Sequence, residues 1–349
     1  MSERLIADTK PDDIQLFSTG MGTYAGTRLV TLEDGVERGM RVIEMRSGGG
    51  LEIDVTVDRS GDIARLSLNG ETLSWHPESG LAAPWNINRE GDNGQGFLRG
   101  YGGFLNTCGL DHIRQPETDT AEEVDQEKLG QIDYPLHGKG TFHPATLRGH
   151  GLIDDVEVPY IFCEIEFVQA MSFVSALRLR RRIEIDVGSQ SIRLHDTVRN
   201  VGSNATTHML LYHCNLGFPL VCPNTTVTFG DDPCVWQSED HDPAAPFPAP
   251  RKNAPSLLSV HQHTTKTGKV RIESAQTGLR MDMSYPAEQL PYCQMLKVAK
   301  QGIYSIGIEP CTTAARTRAE ARRTGEMIVL QPSESRRYEL TIDFNRLRK

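Results

Sequence analysis

Hydrophobic and polar residues alternate with a period of two over most of this chain. Residues 51–57, Leu-Glu-Ile-Asp-Val-Thr-Val, place an apolar side chain at every second position, the pattern of a strand with one face buried. A strand over 40–45 precedes it and one over 63–68 follows, after the turn Asp58-Arg59-Ser60-Gly61-Asp62. Asn69-Gly70 is a strong two-residue hairpin signal. Further strands are expected over 161–169, 172–181, 182–187 and 191–198, with a tight turn at 188–190, and then over 269–273, 278–284, 294–298 and 303–309. A short helix over 314–323 and a closing pair of strands, 327–330 and 337–342 around Pro332-Ser333, complete the series. Turn signals this frequent predict an all-β protein, a sandwich or barrel. The expected organisation is one large domain over 40–349, with 1–39 as an N-terminal arm or a first hairpin packed on it.

Three stretches break the pattern. Residues 74–115 hold Trp75, Trp85 and the run Phe97-Leu98-Arg99-Gly100-Tyr101-Gly102-Gly103-Phe104, and are expected to be a long, ordered, functional loop region. In both tryptophans core packing is favoured over stacking on a sugar. Residues 117–130 are acidic and suggest an exposed insert. Residues 231–255, rich in Pro and Asp, suggest a surface loop.

The chain is organised around Thr207-His208-Met209-Leu210-Leu211-Tyr212-His213-Cys214-Asn215-Leu216-Gly217. Alternation places Met209, Leu211, His213 and Asn215 on one face and His208, Leu210, Tyr212 and Cys214 on the other. An acid/base group and an amide therefore leave an apolar strand on the same side. In the strand from Ile303, Tyr304, Ile306 and Ile308 form a core face, while Ser305, Gly307 and Glu309 form the other. Small side chains there leave room for a ligand beside a terminal carboxylate. Pro310 has no N–H to give to a ladder, so pairing is expected to end there. His137, in Leu136-His137-Gly138-Lys139-Gly140, sits where a flexible backbone approaches a ligand closely; His143 ranks below it. Arg99, with Asn106, Asp111 and His112 nearby, offers hydrogen-bonding groups for sugar hydroxyls or a phosphate, against the plainer reading of an Arg paired with a neighbouring acid. His137, His213 and Glu309 are also chemically suited to a metal, although no spacing demands one.

Composition narrows the classes. With 46 acidic against 37 basic residues and a net charge of -9, nucleic acid and anionic membranes are poor partners. The cluster Arg178, Arg180, Arg181 and Arg182 is expected on a solvated face. No apolar run reaches the ~20 residues of a membrane helix, and the first residues lack a signal-peptide core. The 7 cysteines are scattered, with no C-x-x-C pair. Reduced thiols and a cytoplasmic location are the expectation.

Several of these motifs resemble, in order and spacing, those of the aldose 1-epimerase (galactose mutarotase-like) superfamily, and most closely its DUF4432 group. Asp196-Thr197-Val198-Arg199-Asn200 is similar to its Asp-x-Val-x-Asn strand, and Tyr212-His213-Cys214-Asn215 to the strand bearing its catalytic His. Leu136-His137-Gly138, Gly307-Ile308-Glu309-Pro310 and Leu330-Gln331-Pro332-Ser333-Glu334 resemble its Leu-His-Gly, base strand and final hairpin. The resemblance spans about residues 40–345. It implies a large antiparallel β-supersandwich with few short helices and an open cleft on one sheet. It implies His213 as general acid and Glu309 as general base, with Arg99 and His137 binding substrate. Only Cys214 separates His213 from Asn215, a shorter spacing than in well-studied galactose mutarotases, and the aromatic pair before that Asn is absent.

The resulting expectation is a cofactor-free isomerase that interconverts anomers of an aldose or sugar derivative. His213 and Glu309 would be catalytic, and Arg99, His137, Asn215, Asn106 and Asp111 substrate-binding. Its partner is a small-molecule sugar, with a homodimer left open. Two alternatives stand beside it: a metal-assisted sugar isomerase or lyase using His137, His213 and Glu309, and a non-catalytic carbohydrate-binding protein.

Overall fold

A computed structural model describes residues 16–119 and 130–346. The first residues of the expected N-terminal arm and most of the acidic insert, 120–129, lie outside the described residues. Period-two alternation has its direct consequence in the strand Tyr160–Met171, whose odd-numbered residues from Ile161 to Gln169 are buried while the even-numbered ones are partly or fully exposed. Strands of this kind make two large antiparallel sheets, beside a small pair of Glu117–Asp119 with Ile132–Tyr134. The larger runs in the order Gly26–Thr31, Arg41–Arg46, Leu51–Thr56, Asp62–Leu68, Leu105–Leu110, Thr206–Leu216, Ile303–Cys311, Tyr292–Lys300, Ser256–Gln262, Cys234–Gln237. The second runs Thr226–Thr228, Thr267–Glu273, Leu279–Pro286, Ser335–Arg346, Ser191–Asn200, Ser175–Asp186, Tyr160–Met171, Thr146–Ile153. Ile53, Val55, Leu66 and Phe104 of the first pack with Ile165, Leu179, Leu340 and Phe344 of the second in one continuous core.

Gly26–Thr31 pairs antiparallel with Arg41–Arg46, so the N-terminal region supplies a first hairpin. The Asn69-Gly70 turn forms, both residues taking positive φ, and joins Asp62–Leu68 to the short strand Glu71–Thr72. The expected helix over 314–323 is shorter and later, Arg318–Thr324, with the Thr317 side chain accepting from the Glu320 N–H and Gly325 closing its end.

Four expectations are corrected. Residues 172–181 and 182–187 do not form two strands; Ser175–Asp186 is continuous and pairs along its length with Tyr160–Met171. The arginine cluster divides with the alternation. Arg180 and Arg182 face outward against Glu164, whereas Arg181 is buried between the sheets in a two-pronged pair with Asp196. Leu105–Leu110, expected in a loop, is a fully buried strand beside Thr206–Leu216. Its Gly and Asn content hid it, and burial on both faces removed the alternation that would have marked it. Pairing also continues past Pro310: Cys293 lies opposite it and Tyr292 opposite Cys311. On the other side the ladder is interrupted between Cys214–Ile308 and Leu211–Cys311. The proline opens the ladder toward the His213 strand without ending it.

Candidate active site

Thr206–Leu216 is buried along both faces. Leu210, Tyr212, Cys214 and Leu216 enter the inter-sheet core. Met209 and Leu211 enter a second cluster with Phe97, Leu136 and Phe142 of the covering loops. His213 and Asn215 share that second face, as alternation predicts.

Strand register assembles the site. His213 pairs with Asn106, and Glu309 with Gln294. The pairs Cys214–Ile308 and Leu211–Cys311 put His213 opposite Glu309. One row across four neighbouring strands thus reads Asn106, His213, Glu309, Gln294. His213 Nε2 lies 3.3 Å from Glu309 Oε1. Both side chains are buried, Glu309 completely. Gly307, one step along, is the small residue this face requires: a Cβ there would lie 3.1 Å from both Glu309 Oε1 and His213 Cε1.

Each end of the row is held in place. Gln294 Nε2 donates to Glu309 Oε2 at 2.6 Å. Arg114 Nε donates to Gln294 Oε1 at 3.0 Å, fixing which way that amide points. The rest of the buried Arg114 guanidinium is engaged by the carbonyls of Ala315 and Thr313. At the other end, Tyr101 Oη donates to Asn215 Oδ1 at 2.5 Å and stands 3.4 Å from His213 Nε2. Asn215 Nδ2 donates to Gly103 O and Asn106 Oδ1. Two buried atoms of the site, Glu309 Oε1 and His213 Nδ1, have no hydrogen-bond partner among the described residues. Buried polar atoms are normally satisfied, so these two mark where a substrate or water is to be met.

His137 stands over the row, its ring 5.6 Å from that of His213 and 4.9 Å from that of Phe97. Its backbone is left-handed, with φ 61°. Its Nδ1 accepts from the Arg114 N–H at 3.3 Å, so the neutral ring carries its proton on Nε2. Burial, with His213, His112 and Arg114 adding to it, holds His137 well below the ordinary histidine range. Burial also lowers His213, against an upward pull from Glu309 and Asn215. Burial and the Glu309 charge raise the Tyr101 hydroxyl well above its usual value, keeping it protonated.

The structure brings His213, Glu309, Asn215, Asn106 and His137 together and separates two candidates from them. Arg99 is exposed and makes a two-pronged pair with Asp92; the plainer reading of it is the correct one. Asp111 lines a different cavity, of about 190 Å³, with Lys139, Tyr134 and Gln169, and its Oδ1 accepts from the Lys139 N–H. Asn106 is buried, its amide donating to Gly102 O and Asp62; it supports Asn215 more than it faces the cleft. Among the described residues no three His, Cys, Asp or Glu side chains converge as metal ligands, so the arrangement gives the set His137, His213 and Glu309 no support as a metal site. Of the two tryptophans, Trp75 is half-buried, its ring 5.5 Å from that of Tyr101. Trp85, expected in the core, is 55% exposed.

Tyr101, Gln294 and Arg114 were not singled out by sequence. A glutamine at a buried position of the strand Tyr292–Lys300 was a usable signal. Arg114 carried none, because its role depends on carbonyls some 200 residues away along the chain.

The model of the DUF4432 family, a domain of unknown function, matches residues 37–344. No curated protein matches the chain. Among solved structures, it is similar to a protein of Klebsiella pneumoniae subsp. pneumoniae provisionally named an aldose 1-epimerase, at 22% identity and TM-score 0.79, over 91% of this chain and 83% of that one. It is similar to a galactose mutarotase-like protein of Clostridium acetobutylicum at 14% identity and TM-score 0.63, over 92% and 98%. It is also similar to a galactose 1-epimerase of Lactobacillus acidophilus at 14% identity and TM-score 0.58, over 92% and 99%. The fold is the galactose mutarotase-like β-supersandwich, and the chain belongs to the DUF4432 family.

Proposed function

We propose that this member of the DUF4432 family interconverts the anomers of an aldose or sugar derivative, with His213 as general acid and Glu309 as general base. The observation that carries this reading is the opposition of His213 Nε2 and Glu309 Oε1 at 3.3 Å, with the carboxylate oxygen free of any other partner. Anomerisation acts on two oxygens bonded to the same carbon, the ring oxygen and the anomeric hydroxyl. An acid and a base that serve them must stand side by side, as these do. The similar structures named for epimerases and mutarotases support the same reaction class.

In the forward step the His213 imidazolium gives its Nε2 proton to the ring oxygen while Glu309 Oε1 takes the proton of the anomeric hydroxyl. The C1–ring-oxygen bond breaks, leaving an open-chain aldehyde, a neutral imidazole and a carboxylic acid. After rotation about C1–C2 the same transfers run backward, restoring both groups. Each positioned proton transfer contributes typically 10²–10⁴-fold. Gln294 keeps the unused carboxylate oxygen occupied, His137 offers an Nε2–H to a substrate oxygen, and Trp75 and Tyr101 give an apolar wall for a sugar face.

The test is anomer exchange followed by magnetisation-transfer NMR on a panel of aldoses, uronic acids and sugar phosphates. Exchange accelerated by the wild type, and lost in Glu309→Gln and His213→Ala with the fold intact, is the expected result. Saturable sugar binding that survives Glu309→Gln, without exchange in the wild type, would replace this reading with that of a binding protein.

A further inference from the structure

We infer that Tyr101 is a positioning residue that fixes the tautomer of His213, with the proton on Nε2 and the bare lone pair on Nδ1. The inference deepens the reading of His213 as the acid and rests on it.

The argument starts from two amides whose orientation is determined by backbone. Asn106 Nδ2 lies 3.1 Å from Gly102 O, while its Oδ1 faces the Gly102 N–H. Asn215 Nδ2 lies 3.0 Å from Gly103 O and 3.3 Å from Asn106 Oδ1. Turning the Asn215 amide over would set its oxygen against two acceptors. Its Oδ1 must therefore face Tyr101, and the only hydrogen available to that 2.5 Å contact is the phenol's own. The Tyr101 proton is thus directed away from His213, and what Tyr101 Oη presents to His213 Nε2, at 3.4 Å, is a lone pair.

The second neighbour of His213 Nε2 is Glu309 Oε1 at 3.3 Å, a carboxylate oxygen that also accepts only. With acceptors on both sides, a neutral His213 has to carry its hydrogen on Nε2. Nδ1 is buried with no partner among the described residues, so no acceptor of the protein calls for a hydrogen there. The consequence is a fixed division of labour. Nε2 always faces the cleft as a donor in the resting protein, and the proton that makes the imidazolium arrives at Nδ1. His213 cannot serve as the base in the resting state, which leaves that role to Glu309. Glu309 alone would not secure this. At 3.3 Å its Oε1 makes no hydrogen bond to Nε2, so Tyr101 Oη is the acceptor that keeps Nε2–H aimed.

The experiment is long-range ¹H–¹⁵N correlation NMR of histidine-labelled protein at pH 8, where His213 is neutral, for the wild type and Tyr101→Phe, with kcat and KM measured in parallel. The expected wild-type spectrum shows His213 protonated at Nε2 and bare at Nδ1. In Tyr101→Phe the Nε2 resonance moves toward the unprotonated position, and kcat on a turned-over sugar falls about tenfold or more with KM less affected. A wild-type Nδ1–H tautomer overturns the inference even if the variant does not fold. An Nε2 resonance unmoved by Tyr101→Phe overturns the role of Tyr101 by leaving Glu309 as sole determinant. The tautomer is read without any sugar, so absence of anomerase activity would overturn the proposed function while leaving this result standing.

Discussion

Gln294 and Glu309 face each other across neighbouring strands, and the amide takes one carboxylate oxygen while the other is left toward His213. The contact is 2.6 Å, and Arg114 holds the far end of the amide. The base is thereby aimed by a chain that ends at Arg114, whose backbone N–H donates to His137 Nδ1 and whose carbonyl accepts from the His137 N–H, so base and His137 are registered to one another through Arg114.

Gln294→Leu removes this hold with little change of volume. A hydrogen bond to a charged group is worth about 1.5–3 kcal/mol, so kcat is expected to fall about ten- to a hundredfold. KM should change less, since Gln294 lies behind the carboxylate. Steady-state kinetics on the sugar found by the exchange panel checks it; unchanged kcat would show that Glu309 is aimed without Gln294.

Gly307→Ala tests the cleft floor. The new methyl would stand 3.1 Å from Glu309 Oε1 and His213 Cε1 and 3.2 Å from Leu296 Cβ, tighter than ordinary contact on three sides. It wedges between the catalytic pair. Activity is expected to drop at least tenfold, with a melting temperature within a few degrees of wild type. Full activity would place the reacting sugar elsewhere.

Arg99→Ala is the complementary control. Arg99 is 63% exposed and bound to Asp92, so kcat/KM is expected to stay within about twofold, as for most surface changes. A large rise in KM would return Arg99 to the substrate site.

The sequence disclosed what strand alternation controls and concealed what depends on register. The shared face of His213 and Asn215, the core face of Tyr304, Ile306 and Ile308, and the Asn69-Gly70 hairpin follow from period two and turn chemistry. That His213 lies opposite Glu309 depends on pairing between strands about 100 residues apart, which no local pattern encodes, whereas Gln294 reaches Glu309 across a hairpin that turns at Gln301-Gly302. Asp196 and Asn200 of the quoted motif have physical roles that only the fold reveals. Asp196 binds Arg181 and accepts from the Tyr212 hydroxyl directly behind His213. The Asn200 amide ties the carbonyls of Asn204 and Leu330. Arg99 and Asp111 were misplaced because a polar residue in a Gly-rich run looks the same whether it faces the cleft, solvent or a separate cavity.

Activity should depend on pH with a definite sign. Burial lowers the His213 pKa below the ordinary histidine value near 6.5. The imidazolium that donates to the ring oxygen is therefore depleted as pH rises past that lowered value, so kcat/KM is expected to decline from mildly acidic toward neutral and alkaline pH. A pH–rate profile from 5 to 9 checks it; a rate rising through neutrality would require neutral His213 as the reactive form and remove it as the acid.

Stability has its own acid limb, set by His208. This side chain is fully buried on the other face of the same strand, its Nδ1 against Leu110 O at 2.7 Å and its Nε2 against the Tyr338 hydroxyl at 2.8 Å. Burial lowers its pKa to about 4, against about 6.5 in an unfolded chain. As pH falls below the unfolded value the unfolded state takes up a proton that the folded state refuses. Stability is therefore fully present above about pH 6.5 and is lost progressively as pH falls toward 4. Between pH 7.5 and 5 this single group should cost about 2 kcal/mol. His208→Gln keeps a donor and an acceptor but does not titrate. It should be less stable than wild type at pH 7.5, with the gap narrowing by about that amount at pH 5. Urea denaturation of both proteins at the two pH values decides the matter, and parallel losses in the two would assign the acid sensitivity to other groups.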